Sequence, residues 1–116
     1  MKKLGTVLAV LMSVALVAGC GKSPKDTAKA FTENLSKGKI SESKKYATEQ
    51  TGQLLDMASS MGVIPVEPNF RFILVEQVID GNKAVVKYRE TPDGEVESMD
   101  LVKIDGKWKV HMKKDE

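Results

Sequence analysis

The sequence has little of the chemistry that most catalytic and metal sites require: one cysteine, one histidine and one tryptophan in 116 residues. A single cysteine excludes a disulfide within the chain. One histidine beside one cysteine leaves no recognisable set of transition-metal ligands. We therefore expect no metal and no cofactor.

One long apolar run is present, Leu4–Ala18, and it follows the basic start Met1-Lys2-Lys3. A basic start, a short apolar stretch and small residues at its end are typical of a secretory signal peptide. The run of 15 residues is shorter than the roughly 20 that a membrane-spanning helix needs. The pattern predicts a leader over residues 1–19 that is cleaved.

The residues at the end of this leader, Val17-Ala18-Gly19-Cys20, resemble the lipobox of bacterial lipoproteins. The resemblance implies that Cys20 receives a diacylglycerol, becomes the first residue and is further acylated, for example with palmitate. Residues 20–23 would then be the lipidated cysteine and a short tether. A reactive or intermolecular thiol is the alternative, but a catalytic thiolate needs a base or a helix start inside a pocket.

The same resemblance predicts a place in the cell envelope, with the membrane as partner through the lipid on Cys20. Gly21 rather than aspartate follows the cysteine. This implies the outer membrane, facing the periplasm, if the host has one. Otherwise the protein would lie on the outer face of the cytoplasmic membrane.

Net charge gives no sign of a nucleic-acid partner. Removing Lys2 and Lys3 from the 18 basic residues leaves 16, which equals the 16 acidic residues. A neutral domain favours neither nucleic-acid binding nor a polybasic membrane patch.

Helical signals fill the first half of the chain after the tether. Ser23, Pro24 and Asp26 suit a helix start, and the pattern predicts a helix over 24–37. Its apolar stripe consists of Ala28, Phe31 and Leu35. Two shorter helices are expected at about 42–48 and 50–61, the second with Leu54, Ala58 and Met61 facing inward.

Strand signals fill the second half. We expect four strands, at 70–79, 83–91, 95–104 and 107–113, joined by turns that contain Asp-Gly. A two-residue loop at Asp105-Gly106 would pair residue 103 with 108, 101 with 110 and 99 with 112. The side chains that would face the helices are Met99, Leu101, Trp108, Val110 and Met112.

Helices followed by strands predict an α+β fold, with two or three N-terminal helices packed on one face of a curved, four-stranded antiparallel meander sheet. Three stretches, 24–48, 79–88 and IDGKWKV at 104–110, resemble small bacterial lipoproteins of the nuclear transport factor 2-like (cystatin-like) superfamily. More narrowly, they are similar to the lumazine-binding-like domain of unknown function. The resemblance implies that residues 24–116 form a cone of sheet and helix, either holding a small molecule or filled by side chains.

Enzymes of that superfamily resemble ketosteroid isomerases, which use an acidic base and a tyrosine or acid donor in an apolar pocket. Tyr46 and Tyr88 are expected to be residues at the edge of the core. Asp56 is expected in solvent, and Glu76 and Glu90 are expected away from the concave face. We therefore predict no catalytic residue and no enzymatic activity.

His111 is expected on the outer face as an exposed polar partner of Asp100. Apolar residues make better candidates for a site, since a Met-rich lining adapts to hydrophobic ligands. The possible pocket lining is Phe31, Leu35, Leu54, Ala58, Met61, Tyr88, Met99, Leu101, Trp108, Val110 and Met112.

Three functional hypotheses follow. The first is a non-enzymatic, membrane-anchored envelope lipoprotein that binds an envelope protein or a small apolar ligand. The second is an enzyme similar to the isomerases and lyases of the superfamily. The third is a structural component of envelope assembly that docks through the sheet face carrying Val102 and Ile104. Fold alone does not decide between them.

Overall fold

The computed structural model describes residues 22–112, so the predicted leader, Cys20 and residues 113–116 lie outside the described residues. The element order is α1 (Pro24–Ser36), α2 (Ile40–Lys44), α3 (Glu49–Ser60), β1 (Ile73–Asp80), β2 (Lys83–Arg89), β3 (Glu97–Ile104) and β4 (Lys107–Val110). The predicted α+β class, with helices first and a four-stranded antiparallel sheet after them, is confirmed. Within residues 22–112, no helix combines the length and the apolar character that crossing a membrane would require.

Helix α1 begins as its sequence predicts. The Ser23 hydroxyl accepts a hydrogen bond from the Asp26 amide at 3.3 Å, and Pro24 occupies the first turn. The helix ends before Gly38, whose φ of 81° is readily adopted only by glycine. Helix α1 contacts all four strands, and Phe31 on its inner face is completely buried. This helix therefore forms the centre of the domain.

Helices α2 and α3 form a second layer, in which α2 packs on α1 and α3 packs on α2. Thr48 caps α3 by accepting a hydrogen bond from the Thr51 amide at 3.2 Å. The buried side of α3 carries Thr51 and Leu55.

The predicted inward stripe of α3 is therefore wrong. Leu54 and Ala58 are only half-buried, and the Met61 side chain is 66% exposed. The helix turns its Thr51 face inward because the Thr51 hydroxyl accepts a hydrogen bond from the Met112 amide at 2.7 Å. A contact with a residue so distant in sequence is not encoded in the helical periodicity.

The four strands form a meander in the order β1-β2-β3-β4. The predicted register of the last hairpin is confirmed, with Leu101 opposite Val110 and Lys103 opposite Trp108. Asp105 and Gly106 both have positive φ, 53° and 80°, as a type I′ turn requires.

The predicted pairing of Met99 with Met112 does not form. Strand β4 ends at Val110 rather than Lys113, because the chain leaves the ladder toward Thr51. The free edge of β4 is covered by residues 46–48. The Val110 amide donates to the Tyr46 carbonyl at 2.8 Å, and the Val110 carbonyl accepts from the Thr48 amide at 2.9 Å. This contact fixes the second helical layer to the end of the sheet.

Candidate functional site

A cavity of about 240 Å³ opens between α1, residues 64–70 and the strands β2 and β3. Apolar side chains form most of its wall, and two carboxylates and a phenol supply its ionisable groups. The lining residues are Phe31, Thr32, Leu35, Ser36, Ile64, Pro65, Glu67, Phe70, Tyr88, Glu90, Met99 and Met112.

Local structure explains how the ionisable groups come together. Tyr88 lies on the inner face of β2, and Glu90 follows two residues later, on the same side of the extended chain. Glu67 is held over the end of α1 because its amide donates to the Ser36 carbonyl at 2.8 Å. The Phe72 ring stacks on the Tyr88 ring with centroids 5.1 Å apart, which fixes the phenol.

Burial raises the pKa of Tyr88 to about 12, and the negative charges of Glu90 and Glu97 add to the shift. Burial also raises the pKa of the half-buried Glu90 carboxyl above its ordinary value, with further contributions from Glu67 and Glu97. Tyr88 is therefore a neutral hydrogen-bond donor at physiological pH. Glu90 takes up a proton more readily than an exposed glutamate does.

No protein-family profile matches the sequence, and no curated protein matches it. A solved protein from Campylobacter jejuni, provisionally named an NTF2-like transpeptidase, superposes with a TM-score of 0.60 at 18% sequence identity. The match covers 79% of this chain and 100% of that chain.

The fold is nuclear transport factor 2-like. This confirms the fold that the sequence resemblance implied, whereas membership of the superfamily stays a prediction. The narrower resemblance to the lumazine-binding-like family stays a prediction, as does the lipoprotein assignment. At 18% identity the likeness shows the fold, and the transpeptidase name belongs to the other protein.

The predicted pocket residues fall into four groups in this nuclear transport factor 2-like domain. Those that line the cavity are Phe31, Leu35, Tyr88, Met99 and Met112. Leu101 and Val110 lie in the closed core, whereas Trp108 lines a different depression at the β4 edge. Leu54, Ala58 and Met61 are not among the residues that line this cavity.

The expectation that Glu90 faces away from the cavity was wrong. Ala84, Val86 and Tyr88 alternate on the inner face, and continuing that alternation by one step places Glu90 with them. The sequence therefore contained the signal for Glu90. The sequence contained no such signal for Glu67. This residue lies in a loop with two prolines, and a loop has no periodic pattern from which the surface that it covers can be predicted.

His111 also differs from expectation. Its ring is half-buried and its Nδ1 lies 3.0 Å from the Thr48 hydroxyl, so its side-chain partner is not the Asp100 carboxylate. The contact with Asp100 is made by the backbone, where the His111 amide donates to the Asp100 carbonyl at 2.9 Å. In the part of the chain that the structure describes, no cluster of three or more His, Cys, Asp or Glu side chains is placed to hold a metal ion.

Because the folded-state pKa of Glu90 exceeds its ordinary value of 4.5, the folded state binds the Glu90 proton more tightly than the unfolded state does. The stability from this proton is present below pH 4.5 and is lost as the pH rises through the higher folded-state pKa. We expect Glu90→Gln to match the wild type in acid and to be more stable by up to about 0.5 kcal/mol at neutral pH. Urea titrations between pH 4 and pH 8 measure this difference.

The exposed Glu95, beside the neighbouring turn, provides the control. Glu95→Gln removes the same negative charge from an exposed site, so it should not reproduce the gain in stability at neutral pH. If the free energy of unfolding of Glu90→Gln differed from that of the wild type by the same amount at every pH, this would contradict the burial of the Glu90 carboxyl.

Proposed function

We propose that this chain is a lipid-anchored envelope protein whose nuclear transport factor 2-like domain binds a small, largely apolar ligand in the cavity beside Tyr88 and Glu90, without chemical turnover. The observation that carries the proposal is the composition of the cavity. Its apolar wall ends at a neutral phenol and a carboxyl whose pKa is raised by burial.

This composition supports a particular class of ligand. Leu35, Ile64 and Phe70 line the cavity and are partly exposed, so they offer apolar surface to a hydrocarbon body. The Tyr88 hydroxyl can donate a hydrogen bond to an oxygen of the ligand. At about 240 Å³ the cavity lies below the usual range of roughly 300–1,000 Å³ for ligand pockets. A compact ligand with one polar end fits these features best.

The anchor rests on the lipobox-like sequence that ends at Cys20. Each buried methylene of an acyl chain contributes about 0.8 kcal/mol to membrane binding, so two or more chains give a stable anchor. Helix α1 begins at Pro24, only four residues after Cys20. The cavity would thus be held close to the membrane, where apolar ligands concentrate.

An isomerase or lyase is the second candidate, and the shared cavity of Glu90 and Tyr88 favours it. A raised carboxyl pKa brings Glu90 closer to the range in which a general base works well, and Tyr88 would stabilise developing negative charge. Binding remains the better-supported function because Glu90 is only half-buried, so water reaches the carboxyl that would have to act as the base.

Native mass spectrometry of the chain extracted from its own host tests both candidates. We expect the wild type to carry a small-molecule adduct and Leu35→Trp to lose it, because the larger ring fills the cavity. Leu54→Trp is the matched control, since Leu54 is also half-buried on a helix but lies outside the cavity. This control should keep the adduct.

The two candidates differ in their response to Glu90→Gln. Under the binding proposal the variant retains the intact ligand, and neither protein converts it. Conversion of the ligand by the wild type and not by Glu90→Gln would establish the enzymatic candidate instead. A wild type without any adduct, or an adduct that survives Leu35→Trp, would disprove ligand binding in this cavity.

A further inference from the structure

A second depression of about 240 Å³ lies at the β4 edge, on the side where the tether joins the domain. Six of its lining residues are lysine or aromatic, and we call them the lysine–aromatic face: Lys22, Lys45, Tyr46, Lys107, Trp108 and Lys109. Thr27 completes the lining, which includes no carboxylate. The face thus carries four positive charges in a domain with almost no net charge.

Cation–π and hydrogen-bond contacts hold the face together. The Lys22 ammonium lies 5.9 Å from the centroid of the Tyr46 ring. The Lys109 ammonium donates to the Lys45 carbonyl at 2.8 Å. The Lys103 ammonium, which is not part of the lining, lies 5.6 Å from the centroid of the Trp108 ring and adds a fifth positive charge nearby.

Little of this charge is neutralised by ion pairs. Among residues 22–112, one salt bridge involves the face, between Lys45 and Glu42 at 3.3 Å. Both side chains of that pair are more than half exposed, and pairs of this kind contribute little. The positive potential of the face therefore remains available to an external anion.

The closeness of the face to Cys20 along the chain indicates that the membrane surface is what it contacts. This step rests on the proposed lipid anchor. Lys22 follows Cys20 by two residues, so their Cα atoms are at most about 8 Å apart. Lipid on Cys20 would hold Lys22 at the level of the headgroups. Tyr46 and Trp108, beside Lys22, are the residue types enriched where proteins meet the membrane interface.

We propose that the lysine–aromatic face docks the domain onto an anionic lipid surface, with the lysines on headgroup phosphates and Trp108 at the membrane interface. The anchor alone permits the domain to rotate about its tether. The docked face would restrict that rotation and give the domain one orientation on the membrane.

Trp108 is the sole tryptophan, so the tryptophan fluorescence of the chain reports how deeply this one side chain lies in the membrane. The test uses the chain recovered from host membranes and reconstituted into vesicles of phosphatidylcholine, alone or mixed with phosphatidylglycerol, that carry brominated acyl chains. We expect stronger quenching of Trp108 in the anionic vesicles, weakening as salt is added. In Lys22→Gln/Lys107→Gln, the ratio of docked to undocked protein should fall roughly 30-fold, equivalent to about 1 kcal/mol for each lysine removed.

The matched control is Lys83→Gln/Lys87→Gln, which removes two exposed lysines from β2, outside the face. It should keep the quenching of the wild type. Equal quenching in neutral and anionic vesicles, or full quenching in Lys22→Gln/Lys107→Gln, would overturn the proposal. Suppression of quenching by added inorganic phosphate, at matched ionic strength, would also overturn it and identify a site for a soluble anion.

Failure of the anchor can be recognised separately, because intact-mass measurement of the same sample shows whether acyl groups are present. If they are absent, the chain is added to preformed vesicles. The docking proposal then still requires salt-sensitive quenching that depends on phosphatidylglycerol, and its absence would disprove docking as well. Neither readout depends on a ligand in the cavity beside Tyr88.

Discussion

Replacing Phe31 with alanine should lower the free energy of unfolding by about 3–5 kcal/mol. The ring is 0% exposed and lies where α1 meets the sheet, so its removal leaves a void that the surrounding elements fill only in part. Because small domains are stable by only about 5–15 kcal/mol, this single change would remove a large share of the total. Denaturant unfolding followed by Trp108 fluorescence measures the loss.

Met112→Ala serves as the control for this experiment. Met112 lines the same cavity, but its side chain is 37% exposed. We therefore expect a loss below about 1 kcal/mol. A similarly small loss for Phe31→Ala would show that the contact between α1 and the sheet is not the main source of stability.

Replacing Cys20 with serine should abolish all incorporation of labelled palmitate into the chain. Serine lacks the thiol to which the diacylglycerol is proposed to attach, and the processing that follows lipidation would then fail. Labelling in the host, followed by intact-mass measurement, tests both steps. The wild type should lose residues 1–19 and gain acyl groups, and Cys20→Ser should do neither.

Ser23→Ala is the matched control, three residues further along. It removes the hydroxyl that caps α1, at a cost of about 1 kcal/mol, but leaves the lipobox-like sequence intact. It should be labelled like the wild type. Label that persists in Cys20→Ser would place the lipid elsewhere and refute the proposed anchor.

The parts of the fold that the sequence predicted well are those with short-range determinants. The start of α1 depends on Ser23 and Pro24, and the register of the last hairpin depends on Asp105-Gly106. In each case a few adjacent residues determine the backbone, so periodicity and turn chemistry are sufficient.

The site was less predictable because its determinants are distant in sequence. The orientation of α3 depends on the bond between Thr51 and Met112, 61 residues apart. The position of Glu67 depends on a loop that packs on the end of α1. Glu90 is the exception, since strand alternation alone indicates that it faces inward with Tyr88.

The distribution of charge on the surface was also not predictable from the sequence alone. Equal numbers of acidic and basic residues argued against a basic patch, but the fold brings Lys22, Lys45, Lys107 and Lys109 to one depression. These lysines come from the tether, the second helical layer and β4. A sum over the sequence cannot report such a segregation of charge.

The bonds of Val110 to Tyr46 and Thr48 also affect how the protein is made. The helices are synthesised first, but the edge contact that joins their second layer to the sheet needs a strand that emerges more than 60 residues later. Until then the apolar face of α1 has only part of its final cover. Contacts this distant in sequence form slowly. The nascent chain would therefore remain unfolded for longer, in the state in which a polypeptide is threaded through an export channel.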